Sequence, residues 1–118
     1  TSLLNDASSR FNEGLLVSIV DLGANVLYID AAYYVNLYTS SPGSYSFDNA
    51  TTPVCTSVDA GNGIGIGTGQ VNSALCTTAT LLPSANQNKY VFADAVYLTP
   101  SAHRQLGDYA YDRLRARW

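Results

Sequence analysis

Residues 91–104 read Val91-Phe92-Ala93-Asp94-Ala95-Val96-Tyr97-Leu98-Thr99-Pro100-Ser101-Ala102-His103-Arg104. An apolar run reaches an aspartate, a short loop follows, and Thr99-Pro100 opens a segment with helical spacing that runs toward Trp118. Proline suits a first helical turn, where its missing N–H would have had no intrahelical partner. Ala102, Leu106, Tyr109, Ala110 and Leu114 form one stripe, and Arg113, Arg115 and Arg117 complement the negative end of the helix dipole. Residues 90–93 therefore read as a short buried strand, followed by a loop and a closing helix. A carboxylate at the end of a buried strand is where α/β folds place catalytic groups. Asp94 is the first candidate on that ground.

Outward from this stretch lies an irregular region, residues 51–88, rich in Gly, Ser, Thr and Asn. It holds both cysteines of the chain, Cys55 and Cys76. They are not a CxxC pair and have a single histidine for company, which argues against a structural zinc site. A disulfide closing the loop is the simpler reading, with two free thiols as the alternative. A disulfide would imply an exported protein. Glycines alternate at 61, 63, 65, 67 and 69. The spacing fits neither a dinucleotide fingerprint nor a phosphate-binding loop. A flexible surface loop is expected, and a lid over a site stays open as a second reading.

Toward the N-terminus, Leu4, Ala7, Phe11, Leu15, Ile19 and Leu22 recur at helical spacing over residues 2–22, and Gly23 supplies a left-handed stop. Residues 25–30, Asn-Val-Leu-Tyr-Ile-Asp, read as a strand buried on both faces and hence as part of a parallel sheet. Asp30 ends it, as a helix cap or as a functional carboxylate. Residues 31–38 then suit a short helix. Tyr33, Tyr34 and Tyr38 read as packing residues, with pocket lining as the alternative.

The order is thus α-β-α-loop-β-α, an α/β chain. Two strands are too few to be covered by three helices in an ordinary sheet. The 118 residues are expected to be the C-terminal portion of one larger domain, its parallel sheet completed by an upstream segment or a partner chain. The absence of methionine, even at position 1, points the same way. Net charge is −3 with one lysine, so there is no basic field for nucleic acid. No long apolar span is present, which places any export signal upstream of Thr1.

Two blocks carry a family resemblance. Phe92-Ala93-Asp94-Ala95-Val96-Tyr97-Leu98-Thr99-Pro100-Ser101-Ala102-His103-Arg104 resembles the C-terminal block of the GDSL, or SGNH, lipases and esterases, roughly Phe-x-Asp-x-Val-His-Pro-Thr. It looks closest to the passenger domains of bacterial outer-membrane autotransporters. The stretch from Pro42 to Cys55, with Tyr45, Phe47, Asn49, Thr51 and Pro53, resembles an upstream block of the same family. The resemblance implies a flavodoxin-like α/β/α sandwich and hydrolysis of carboxylic esters or lipids by a Ser-His-Asp triad, with no cofactor or metal. It also implies a secreted or bacterial cell-surface location.

Asp94 matches the family's triad aspartate; a loop-capping role is the alternative. The histidine slot three residues on holds Tyr97, and the usual proline after it is Leu98. A phenol, about 0.1% ionised at pH 7, is a poor stand-in for an imidazole base. His103 is a second candidate base, set against a plain helix-surface role. No Gly-Asp-Ser nucleophile block occurs. The serine is expected on an upstream segment or a separate chain, and the other reading is a surface binding or scaffold domain that has lost catalysis.

Overall fold

The computed structural model describes residues 2–118. Three α-helices form: α1, Ser2–Ile19; α2, Ala31–Ser40; and α3, Pro100–Arg117. Single 3₁₀ turns occupy Pro42–Tyr45, Ser73–Leu75, Thr78–Thr80 and Gln87–Lys89. The helix boundaries follow local chemistry. Gly23, at φ 54°, ends the run that continues from α1 as a 3₁₀ segment, Val20–Asn25. Asp30 caps α2 by accepting the Tyr33 amide at 3.0 Å. Thr99 caps α3 by accepting the Ala102 amide at 3.2 Å, with Pro100 in the first turn. The expected helices are present, and Asp30 takes the capping role.

The expected parallel sheet is not. Among the described residues there is no strand ladder, only four isolated bridges: Asn49 with Tyr90, Cys55 with Leu81, Val58 with Val71, and Phe92 with Leu98. This overturns the flavodoxin-like α/β/α sandwich. The chain is mainly helices and turns. Residues 25–30 were expected to be a buried strand, but among the described residues the amides of Leu27, Tyr28, Ile29 and Asp30 donate to no backbone carbonyl. An apolar run becomes a strand only where a neighbour takes up its N–H and C=O groups.

Residues 90–93 do have neighbours, but irregular ones. On one side the Val91 amide donates to Asn49 O, and the Val54 and Cys55 amides donate to Phe92 O and Ala93 O. On the other, Ala93 N donates to Tyr97 O and Thr99 N to Val91 O. Pairing cannot lengthen, because the Asn49 carboxamide takes the Thr51 and Thr52 amides into a turn and Pro53 has no N–H to offer.

The core lies around this segment. Tyr38, Phe47, Val91 and Ala102 form one buried cluster, and Val54, Cys55 and Ala93 a second. Cys55 and Cys76 form the expected disulfide, with Cα atoms 5.9 Å apart. α1 stands outside. α1 buries no residue, and its expected inward stripe is open to solvent, with Leu4 and Phe11 each 70% exposed. The molecule is consequently elongated, 48 × 30 × 22 Å. Its radius of gyration is 16.6 Å, against about 13 Å for a compact domain of this length. The stripe has the periodicity of a packed helix, yet Leu4, Phe11, Leu15 and Leu22 stay exposed, and Ile19, near Val26 and Tyr28, is half-buried.

Candidate functional site

Asp94 sits at the meeting point of the two buried clusters and the start of α3. Its side chain is fully buried, at 0% exposure. The loop behind it is a tight turn. Oδ1 accepts the amides of Val96 and Tyr97, each at 2.8 Å, and Oδ2 accepts the amide of Ser73 at 2.8 Å. Ser73 comes from the disulfide-closed loop, where Asn72 caps its 3₁₀ turn by accepting the Ala74 amide. Burial alone would raise the Asp94 pKa. Hydrogen bonding from the Ser73 side chain and from the Tyr97, Val96 and Ser73 amides outweighs it and holds the carboxyl below the usual carboxylate range. Asp94 is therefore a buried, ionised acceptor pinned on both oxygens.

Tyr97 is tied to that carboxylate by its backbone amide. The Tyr97 ring itself is 52% exposed. Its carbonyl closes the turn by accepting the Ala93 amide at 2.9 Å. His103 lies one turn into α3, its amide donating to Thr99 O at 3.0 Å, and its side chain faces solvent. No hydrogen bond joins the side chain of Tyr97 or of His103 to Asp94. The structure thus brings the Tyr97 backbone to Asp94 and leaves His103 apart from it.

Beside the turn is a cavity of about 470 Å³. Val54, Leu81, Leu98 and the disulfide give it an apolar floor, and Ser73, Thr78 and Thr99 contribute hydroxyls. It carries no charged side chain. Ser73 belongs to both the cavity wall and the Asp94 cage, so the cavity abuts the candidate carboxylate. Among the described residues, no group of three His, Cys, Asp or Glu side chains is placed to hold a metal ion.

Two residues outside the sequence-based site organise its surroundings. Ser73 is one; its only signal was the turn-forming Asn72 before it. Asp59 is the other. Its carboxylate accepts the Asn72 side-chain amide at 2.9 Å and the Gly61 amide at 2.8 Å. The Asn72 hydrogen bond, then the Gly61 amide, with the Gly63 amide adding to them, hold its pKa below the ordinary value against a smaller opposing effect of burial. Gly61 and Gly63 approach this carboxylate, while Gly65, Gly67 and Gly69 turn the chain at positive φ and the Gly69 amide returns to Asp59 O. They form a turn anchored on Asp59, and that turn is tied through Asn72 to the loop that bonds Asp94.

Compared with protein-family models, curated proteins and solved structures, the chain matches none.

Proposed function

We propose that this chain supplies the acid-bearing loop and closing helix of a carboxylic ester hydrolase of the GDSL/SGNH type. Its serine nucleophile lies in a Gly-Asp-Ser segment outside these 118 residues, on an upstream segment or a separate chain. The observation that carries the proposal is the Asp94 turn: a buried, ionised carboxylate bonded to the amide of the residue three positions on. That bond fixes position 97, the base slot of the family block, against its orienting acid. The two resembling blocks are also neighbours in space, joined by the Val54–Phe92 and Cys55–Ala93 hydrogen bonds.

Surface area supports a further segment. The chain exposes 7904 Å², against about 6200 Å² for a compact monomer of its mass. The difference is comparable to what a sizeable interface buries. The exposed part of the α1 stripe and residues 27–30, whose amides find no backbone carbonyl among the described residues, are its natural location. Ester or lipid is the substrate class, no cofactor is required, and the disulfide supports export to the cell surface or beyond. No helix among the described residues is long and apolar enough to cross a membrane.

A second reading, a surface binding or scaffold domain without catalysis, is favoured by one observation. Asp94 already accepts three amides, with the Ser73 side chain beside it, so an imidazole would compete for its last acceptor position. Hydrolysis of short-chain p-nitrophenyl esters by the protein carrying the Gly-Asp-Ser segment separates the two. The hydrolase reading expects a rate that survives His103→Ala and is lost in Asp94→Ala. A folded Asp94→Ala protein with an unchanged rate would refute it.

A further inference from the structure

The cavity beside the Asp94 turn is held open over part of the core. Its floor is a face of the second buried cluster: Val54, Cys55 and Ala93 lie there, and Leu81 packs against them. Protein interiors are close-packed, and a void against a hydrophobic cluster costs stability unless neighbouring groups collapse into it. Here about 470 Å³ stays open. The wall that would have to move is pinned along residues 73–80. Asp94 Oδ2 accepts the Ser73 amide, and the disulfide holds Cys76. The Thr77 amide donates to Thr80 Oγ1 at 2.7 Å. Thr56 donates twice to Thr80 O, from its amide at 2.7 Å and from its hydroxyl at 2.9 Å. The cavity is therefore preformed, which spares a ligand the cost of ordering it.

The chemistry of the lining narrows what can enter. Val54 is buried, and Leu81 and Leu98 are half-buried, so the depth of the cavity is apolar. Thr77, Thr78 and Gln87 line it and are exposed. Its rim thus presents hydroxyls and a carboxamide, groups that both donate and accept hydrogen bonds. No Lys, Arg or His lines it. Lys89, two residues from Gln87, turns its ammonium to Ser46 O at 3.1 Å. The ionised group that adjoins the cavity is Asp94, which is negative and bonded to the Ser73 amide.

We propose that this cavity is a binding site for an uncharged aliphatic amphiphile of the medium-chain alcohol class, its alkyl chain on Val54, Leu81 and Leu98 and its hydroxyl at the rim with Thr78 and Gln87. Each methylene that enters leaves water for an apolar surface, and the rim groups replace the water on the hydroxyl. A carboxylate on the same chain finds no cation and stands beside the charge of Asp94, so the acid is selected against. The site is argued from the cavity alone and does not rest on the ester-hydrolase reading. An alcohol has no ester carbonyl, so its binding is read without the nucleophile-bearing segment, and failure of either proposal leaves the other standing.

Octanol, butanol and octanoate would be titrated at pH 7 into the intact protein while its methyl resonances are followed by NMR. Octanol is expected to give saturable shifts at Val54, Leu81 and Leu98. Affinity should fall by about fourfold for each methylene removed on going to butanol. Octanoate should bind at least about tenfold more weakly than octanol. Thr78→Trp, a change at an exposed rim position, should block octanol. The proposal is overturned by the absence of a saturable octanol shift, or by shifts that fall instead on Val17 and Val20, exposed apolar residues away from the cavity. It is equally overturned if octanoate or butanol binds as tightly as octanol, or if a folded Thr78→Trp protein keeps full affinity. The three ligands are compared on the unaltered protein, so the outcome does not depend on how the variant folds.

Discussion

The Oδ1 atom of Asp94 accepts the backbone amide of Tyr97 at 2.8 Å, while Oδ2 takes the amide of Ser73 from the disulfide-closed loop. One carboxylate therefore ties the start of α3 to a loop some twenty residues upstream. Asp94→Asn turns one acceptor oxygen into a donor that faces an amide N–H. It is expected to cost about 3 kcal/mol, the scale of losing hydrogen bonds to a buried charged group. Urea denaturation of the two proteins checks this.

The same bonds set a pH dependence. The folded-state pKa of Asp94 is lowered, so the folded protein binds this proton less readily than the unfolded chain does. The stabilisation is complete above the unfolded carboxylate value of about 4 and is lost as pH falls through the lowered folded value. Thermal melts from pH 6 downward should show the unaltered protein losing stability in that window. Asp94→Asn should lose less over the same range.

The Cys55–Cys76 bond closes a loop with a sequence separation of 21. By the loop-entropy relation its removal costs about 3 kcal/mol. Cys55→Ser/Cys76→Ser, or reduction with dithiothreitol, should lower the urea midpoint accordingly. It should also lower amide-exchange protection at Ser73, since the loop that presents that amide to Asp94 is then held only by hydrogen bonds.

A Cβ added at Gly63 would overlap the Asp59 carboxylate and the Asn72 side chain. Gly63→Ala should cost about 1–3 kcal/mol, the usual penalty for forcing an extra carbon into a tight site. Gly14→Ala in α1, where nothing lies within 4 Å, should instead raise stability by about 1 kcal/mol through helix propensity. Opposite signs in denaturant melts check both.

Local punctuation was legible in the residues. Asp30, Gly23, Thr99 and Pro100 mark helix ends whose chemistry lies within three or four positions, and Cys55 and Cys76 pair as their loop suggested. The absence of a sheet has the opposite cause. Residues 25–30 have the apolar, β-branched content of a buried strand, but a strand is a relation between segments, and the described chain provides no partner. The roles of Ser73 and Asp59 carry no local signal, because they depend on where a long irregular loop returns. The side chains of Asp94 and Tyr97 were picked out by motif. That the amide of Tyr97 serves Asp94 while its ring faces outward required the structure.

The α1 stripe offers another expectation. Leu4→Gln and Phe11→Gln remove apolar surface that the described chain does not bury. They should change the stability of the 118-residue chain by no more than about 0.5 kcal/mol. Binding of a hydrophobic dye should fall. If either variant unfolds the isolated chain, the stripe is part of its own core.

The most direct test of the ester-hydrolase proposal is kcat/KM for a short-chain p-nitrophenyl ester with the nucleophile-bearing segment present, measured for the unaltered protein, for Tyr97→His, and for Tyr97→His with Asp94→Ala. Placing an imidazole at position 97 is predicted to raise the rate by at least about 100-fold, the contribution of a positioned general base, and the added Asp94→Ala should abolish the gain. A folded Tyr97→His protein that hydrolyses the ester no faster than the unaltered one would contradict the proposal and leave the non-catalytic binding domain as the function.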